Sequence, residues 1–139
     1  MPSQDEVRLA VPATPEFLRL ARVTASGLAS RLGFSYDEVE DLRLAIDELC
    51  FILIGNRGRA GSVELRYAMV PNALEVEGVG DFTGAETNGS EPDNSNQLRL
   101  AAWSQQILSA LLDDYAVYRD DQGRTCFRLM KRRRNTLDR

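Results

Sequence analysis

The stretch SYDEVEDLRLAIDELCFILI, residues 35–54, is the best-defined helix in the sequence. Ser35 followed three residues later by Glu38 predicts a capping box, in which two side chains satisfy backbone amides of the first turn. Gly55 is placed to end the helix. Apolar residues recur along it at three- and four-residue steps, which indicates a helix lying on a core. These residues are Val39, Leu42, Ile46, Leu49 and Leu53.

A second apolar region runs along the same helix. Ala45, Glu48 and Ile52 lie to the side of the main stripe, and Leu44 and Phe51 lie beyond them. A helix that is apolar on two sides is buried between two layers, or it has a pocket or partner against its second side. Glu48 lies inside this region, so its carboxylate is a candidate general base. The alternative is a solvated or salt-bridged residue at the edge of a helix interface.

The segment EDLRLAIDELCFIL, residues 40–53, resembles the N-box helix of bacterial anti-sigma factors of the serine-kinase type. These belong to the Bergerat-fold (GHKL, histidine-kinase-like) ATPase superfamily. In that family a Glu on this helix acts as general base towards a serine hydroxyl, and an Asn four residues later usually holds magnesium. Glu48 matches the Glu, whereas Ile52 stands at the position of the Asn.

Length and composition bound the protein class. We expect residues 1–139 to form one domain, with an ordinary apolar fraction of 43%. The formal net charge of −4 argues against direct nucleic-acid binding, and the absence of histidine argues against catalytic triads and most zinc sites. We expect no membrane span and no signal peptide, and we interpret Cys50 and Cys126 as buried thiols of a cytoplasmic protein.

The order of elements predicts an α+β two-layer sandwich, with helices packed on one face of a mixed, mostly antiparallel sheet. The resemblance implies the same order over essentially the whole chain. Strands are predicted at residues 6–11, 62–70, 73–77, 115–119 and 124–130, and helices at 15–32, 35–54 and 97–112. Residues 78–96 are predicted to be a mobile lid loop, and residues 131–139 a frayed polar tail.

The outer helices are predicted to bury their larger apolar residues. For helix 15–32 the expected buried side is Phe17, Leu20, Ala21, Thr24, Leu28 and Leu32. For helix 97–112 it is Leu100, Trp103, Ile107, Ala110 and Leu111.

The resemblance implies an adenine-nucleotide pocket between helices and sheet, closed by the loop at 78–96. The family's second motif is Asp-x-Gly-x-Gly; Gly78 and Gly80 match its glycines, but Val76 stands at the Asp. The third motif is a Gly-x-Gly turn that opens the next helix, and residues 98–102, LRLAA, contain no glycine. These departures predict weak or lost ATP binding, with Mg-ATP as the cofactor if the site is retained. In an empty pocket we expect Phe82 and Trp103 to pack near Phe51.

The resemblance implies an anti-sigma factor that sequesters an RNA polymerase sigma factor and is countered by an anti-anti-sigma partner, acting as a homodimer. The alternative is an active ATP-dependent serine kinase of an anti-anti-sigma protein, with Glu48 as base and Asn56 or Asp81 as unusual magnesium ligands. A third possibility is an adaptor that keeps the fold but binds neither sigma factor nor nucleotide.

Overall fold

The computed structural model describes residues 5–55, 57–83 and 100–134, which form five strands and three helices. The strands are β1 (Asp5–Pro12), β2 (Gly61–Val70), β3 (Ala73–Phe82), β4 (Asp114–Arg119) and β5 (Thr125–Arg132). The helices are α1 (Pro15–Arg31), α2 (Tyr36–Ile54) and α3 (Ala102–Leu111).

The strands form a single sheet in the order β1-β2-β3-β5-β4. Each neighbouring pair is antiparallel, so no parallel pair occurs in the sheet that the structure describes. Two pairs are the predicted hairpins, β2–β3 and β4–β5, while β1 lies at the far edge beside β2. The predicted α+β architecture is confirmed, with an antiparallel rather than a mixed sheet.

Helix α2 begins as its sequence predicts. The amide of Glu38 donates to Ser35 Oγ at 3.1 Å, and the amide of Ser35 donates to Glu38 Oε1 at 2.7 Å. The predicted core stripe is buried except for Val39, which packs partly buried against the core. Ala45 and Cys50 are buried as well, so α2 contacts protein on more than one side. The helix is therefore the central element of its layer.

The core joins the helices to the sheet, and Tyr67 of β2 is fully buried within it. Its hydroxyl donates to the carbonyl of Ala21 in α1 at 2.9 Å, so the one polar atom of this large side chain is satisfied. Burial raises the pKa of Tyr67. The phenol therefore stays protonated and keeps donating at any ordinary pH.

The predicted buried side of α1 is wrong at Phe17 and Leu20, whereas Leu28 and Leu32 pack partly buried against the core. Phe17 and Leu20 are exposed by 41% and 46%, and the residues that α1 buries are Leu18, Ala21, Ala25 and Ala29. Three of the four are alanines, which let the helix axis approach its neighbours closely. An apolarity count favours the large residues and misses this small-residue contact.

The predicted buried side of α3 is wrong at Trp103 and Ile107, whereas Leu111 packs partly buried against the core, as does Leu100 just before the helix. Trp103 and Ile107 are exposed, and the helix buries Ser104 and Leu108 instead. The helix begins at Ala102, and residues 97–99 of the predicted helix lie outside the described residues. Ser104 makes a polar contact on the inward side, and hydrophobic periodicity carries no signal for such a contact.

The predicted frayed tail at 131–139 is wrong where it begins. Lys131 and Arg132 belong to β5, and Lys131 is only 5% exposed. The amide of Arg134 donates to Glu38 Oε2 at 2.8 Å, so residue 134 lies beside the start of α2. Residues 135–139 lie outside the described residues.

Candidate functional site

Glu48 lies on α2 at the contact with α3. Its Oε2 accepts a hydrogen bond from Ser104 Oγ at 2.8 Å, and Ser104 is only 5% exposed. The carboxylate itself is half-buried. The residue predicted as general base is thus placed between two helices, and it is bonded to a serine hydroxyl of its own chain. Sequence reasoning missed Ser104 because nothing in the sequence links two positions so far apart.

The predicted aromatic filling near Glu48 is wrong. Phe51 and Trp103 are exposed by 45% and 56%, so neither ring is buried against the other elements described. Phe82 is half-buried and packs against the core, with the guanidinium carbon of Arg59 at 4.3 Å from its ring centroid. Ile52 is half-buried and packs against the core. Ser104 and Leu108 face inward from α3, and Trp103 lies on its outward side.

Gly78 and Gly80 lie inside β3 rather than in a loop. Strand β3 continues to Phe82, so the predicted end of the strand at residue 77 is wrong, and residues 84–96 of the predicted lid lie outside the described residues. A Cβ at Gly78 would lie 2.5 Å from Cε2 of Phe127, and one at Gly80 would lie 2.5 Å from Cζ of Phe82. Aromatic rings therefore already occupy the space that these glycines leave open. A role in nucleotide binding stays a prediction.

Val76 lies in the middle of the sheet, paired in register with Tyr67 of β2 and Leu129 of β5. It is 1% exposed. Asp81 is exposed, and it alternates along β3 with the buried Gly80, so it lies on the opposite face of the sheet from the helices. The structure therefore does not bring Asp81 to the side of Glu48. Asn56, the other alternative magnesium ligand, lies outside the described residues.

A separate groove of about 370 Å³ lies between α1 and α2. Arg22 donates to Asp47 Oδ2 at 2.9 Å across it, while its Nε is buried with no hydrogen-bond partner among the described residues. Cys50 also lines the groove, and burial, reinforced by Asp47, raises its pKa to about 12. This thiol is protonated at neutral pH. Sequence reasoning did not identify the groove.

Curated relatives match the chain in sequence. Serine-protein kinase RsbW of Bacillus subtilis is 39% identical over 75 residues, which are 52% of this chain and 47% of that protein. Serine-protein kinase RsbW of Listeria monocytogenes serotype 4a is 29% identical over 128 residues, 84% of this chain and 82% of that protein. The chain spans about half the length of the Bacillus relatives it matches. No protein-family model matches it.

Within the described residues no helix is long and apolar enough to cross a membrane.

The fold has a counterpart among solved structures. It is the crystal structure of the RsbU and RsbW domains of a protein from Mycobacterium tuberculosis. The superposed region includes 91% of this chain and 32% of that chain. The TM-score is 0.57 and the identity 14%, so this likeness shows the fold alone. The resemblance read from residues 40–53 agrees with these comparisons: the relatives that match this chain in sequence are named serine-protein kinase RsbW.

Proposed function

We propose that this protein is a cytoplasmic anti-sigma factor that sequesters an RNA polymerase sigma factor and is countered by an anti-anti-sigma partner, with weak or lost ATP binding. The names of its relatives support the regulatory part. The observation that carries the second part is the buried position of Val76. By resemblance, Val76 stands at the position where the family has an Asp that hydrogen-bonds the adenine amino group. It lies between its register partners Tyr67 and Leu129.

The residues at this position do not fit an adenine nucleotide. A valine side chain cannot accept a hydrogen bond from the adenine amino group, and a buried donor left unpaired costs about 1–3 kcal/mol. Replacing the valine by an acid would put a charge among apolar residues of the core. The hydrogen bond by which, in the family, the Asp carboxylate selects adenine is therefore lacking at Val76.

The magnesium position does not fit either. Ile52 offers no oxygen, and it packs against the core. Metal ions neutralise the charge that develops during phosphoryl transfer, so a chain without a ligand at this position lacks that contribution. Residues 98–102, LRLAA, contain no glycine where by resemblance the family has a glycine turn around the phosphates.

Sequestering a partner needs a surface, and loss of phosphoryl transfer leaves that requirement untouched. Large apolar side chains are exposed on all three helices: Phe17, Leu20 and Val23 on α1, Leu44 and Phe51 on α2, and Trp103 and Ile107 on α3. Helix faces of this kind support association with another protein, including the second copy that the resemblance implies.

The test uses the purified chain with each alternative sigma factor of its source organism. We expect one of them to form a stoichiometric complex by size-exclusion chromatography with light scattering, and the complex to repress transcription by reconstituted RNA polymerase. Addition of the cognate anti-anti-sigma protein should restore transcription. If no sigma factor binds, the regulatory part is wrong; calorimetry that gives low-micromolar affinity for Mg-ATP would contradict the nucleotide part.

A second candidate function is the active serine kinase. Glu48 favours it, because its carboxylate already accepts a hydrogen bond from a serine hydroxyl. Phosphate transfer from labelled ATP to the anti-anti-sigma protein would support it. Glu48→Gln is the matched control, since it keeps a hydrogen-bond acceptor but cannot take the proton. If neither the wild type nor Glu48→Gln transfers phosphate, the result favours the anti-sigma function without kinase activity.

A further inference from the structure

Helix α3 cannot be stable through its own sequence. It has ten residues, and isolated helices shorter than roughly 12–15 residues are marginal in water. Its N-cap is Ala101, which makes no side-chain hydrogen bond to the first turn. Only Ser104 and Leu108 are buried along the helix. The helix is therefore held by a small number of contacts with other elements.

Those contacts lie at its two ends and its centre. In the first turn Ser104 Oγ donates to Glu48 Oε2 of α2 at 2.8 Å. In the last turn the carbonyl of Leu111 accepts from Lys131 Nζ of β5 at 2.8 Å. Between them Leu108 is fully buried. Loss of the first contact would leave the first half of the helix attached by Leu108 and by the longer bond from the Tyr115 hydroxyl to the carbonyl of Gln105, at 3.5 Å.

We propose that the Ser104 hydroxyl occupies the Glu48 carboxylate within the chain. This hydrogen-bonded pair, called the clasp below, holds α3 in a closed position in which Glu48 cannot accept a hydrogen bond from the hydroxyl of another molecule. The proposal rests on the second candidate function only in taking Glu48 as the residue that would meet such a hydroxyl. Ser104 makes the same type of bond, from a serine hydroxyl to a carboxylate. It makes this bond within one chain, so the local concentration of the hydroxyl is far above that of a diffusing partner.

Opening of the clasp would turn the first half of α3 away from α2. Glu48 would then face solvent, and Leu108 would lose part of its contact with the core. A hydrogen bond to a charged group biases an equilibrium on the order of tenfold to a hundredfold. Removal of the Ser104 hydroxyl should therefore increase opening of α3 by about that factor, without the same effect on the sheet.

The test is amide hydrogen exchange on the full chain, comparing Ser104→Ala with Ser109→Ala. Both changes delete one serine hydroxyl from α3, but Ser109 is exposed. Two amides report on the helix: that of Gln105, bonded to the carbonyl of Ala101, and that of Leu112, bonded to the carbonyl of Leu108. We expect roughly tenfold faster exchange at Gln105 in Ser104→Ala, a smaller change at Leu112, and no change in Ser109→Ala.

Changes at Glu48 test the same bond from the other side. Glu48→Gln keeps an acceptor without the charge and should exchange at a rate between those of the wild type and Glu48→Ala, whereas Glu48→Ala should accelerate exchange at Gln105 as Ser104→Ala does. The double variant should be no faster than either single variant, because both remove one interaction. Glu48→Ala also keeps the test decisive if Ser104→Ala fails to fold.

The proposal is overturned if Ser104→Ala and Glu48→Ala exchange at Gln105 no faster than Ser109→Ala, or if the two changes add fully in the double variant. Neither readout uses a sigma factor or ATP. A chain that binds Mg-ATP tightly but shows the clasp would contradict the proposed function alone. A chain that binds a sigma factor but shows no coupling would contradict the clasp alone.

Discussion

Lys131 Nζ donates to the carbonyl of Leu111 at 2.8 Å, so the chain's one lysine caps the end of α3 from a buried position in β5. Asp41 Oδ2 of α2 lies 3.5 Å from the same ammonium. One charge therefore joins three elements: it compensates the exposed carbonyls at a helix C-terminus and a carboxylate on the neighbouring helix. The basic run at the end of the chain begins with a structural residue.

Lys131→Met should destabilise the protein. The change keeps most of the unbranched side chain but leaves the carbonyl of Leu111 without its partner, which should cost about 1–3 kcal/mol in urea unfolding. Arg132→Met is the matched control, because Arg132 is the next residue of the same strand and is exposed. Equal effects of the two changes would mean that the buried hydrogen bond contributes nothing specific.

Glu38 should make stability depend on pH in the acid range. Burial acts to raise the pKa of Glu38, but hydrogen bonds from Ser35 and from the amide of Arg134 outweigh it and hold the pKa below its usual value of 4.5. The unfolded chain therefore binds more protons in this range, so the stabilisation is present above about pH 4.5 and is lost as pH falls through the lowered value. Glu38→Gln should flatten the stability curve below pH 4.5.

The control for Glu38→Gln is Asp37→Asn, a change at the exposed carboxylate next to it in the first turn of α2. Thermal unfolding between neutral and acid pH measures both. An unchanged slope in Glu38→Gln would show that the two hydrogen bonds do not act through the charge of this carboxylate.

Gly78→Ala should destabilise the sheet because the added methyl would overlap the ring of Phe127. Overpacking in a rigid core costs roughly 1–3 kcal/mol. Gly27→Ala is the natural contrast: its Cβ would meet nothing within 4 Å, and alanine in a helix is favoured by roughly 0.5–1 kcal/mol. In a Phe127→Leu background the cost of Gly78→Ala should shrink. If Gly78→Ala lowers the free energy of unfolding by the same amount in the Phe127→Leu protein, overlap with the Phe127 ring is not the cause.

Val76→Asp, alone or with Ile52→Asn, restores family residues by resemblance, and we expect it to unfold the protein rather than to create an ATP site. An unpaired charge between Tyr67 and Leu129 should cost roughly 3–5 kcal/mol. Val79→Asp on the open face of the same strand should be tolerated. A folded Val76→Asp/Ile52→Asn chain that binds Mg-ATP would show that the pocket was already open.

The sequence predicted those features that depend on neighbouring residues. The capping box at Ser35 and the stripe of α2 are encoded within a few positions, and so are the two hairpins. The inward sides of α1 and α3 depend on distant partners: alanines that allow close approach, and the bond from Ser104 to Glu48. Lys131 was predicted as solvated for the same reason, since its partners lie on α2 and α3. The extension of β3 to Phe82 depends on rings packing over glycines, which resemble loop residues in sequence.

The edge position of β1 has a consequence for the order in which the fold is made. Asp5 pairs with Met69, so the first strand leaves the ribosome long before its partner, whereas β2 and β3 can pair as soon as their turn is complete. Contacts between distant residues form late because a long loop must close first. During synthesis β1 therefore waits unpaired while α1 and α2 emerge. A chain truncated before residue 61 would leave the backbone groups of this strand without a partner, open to pairing with a strand of another chain.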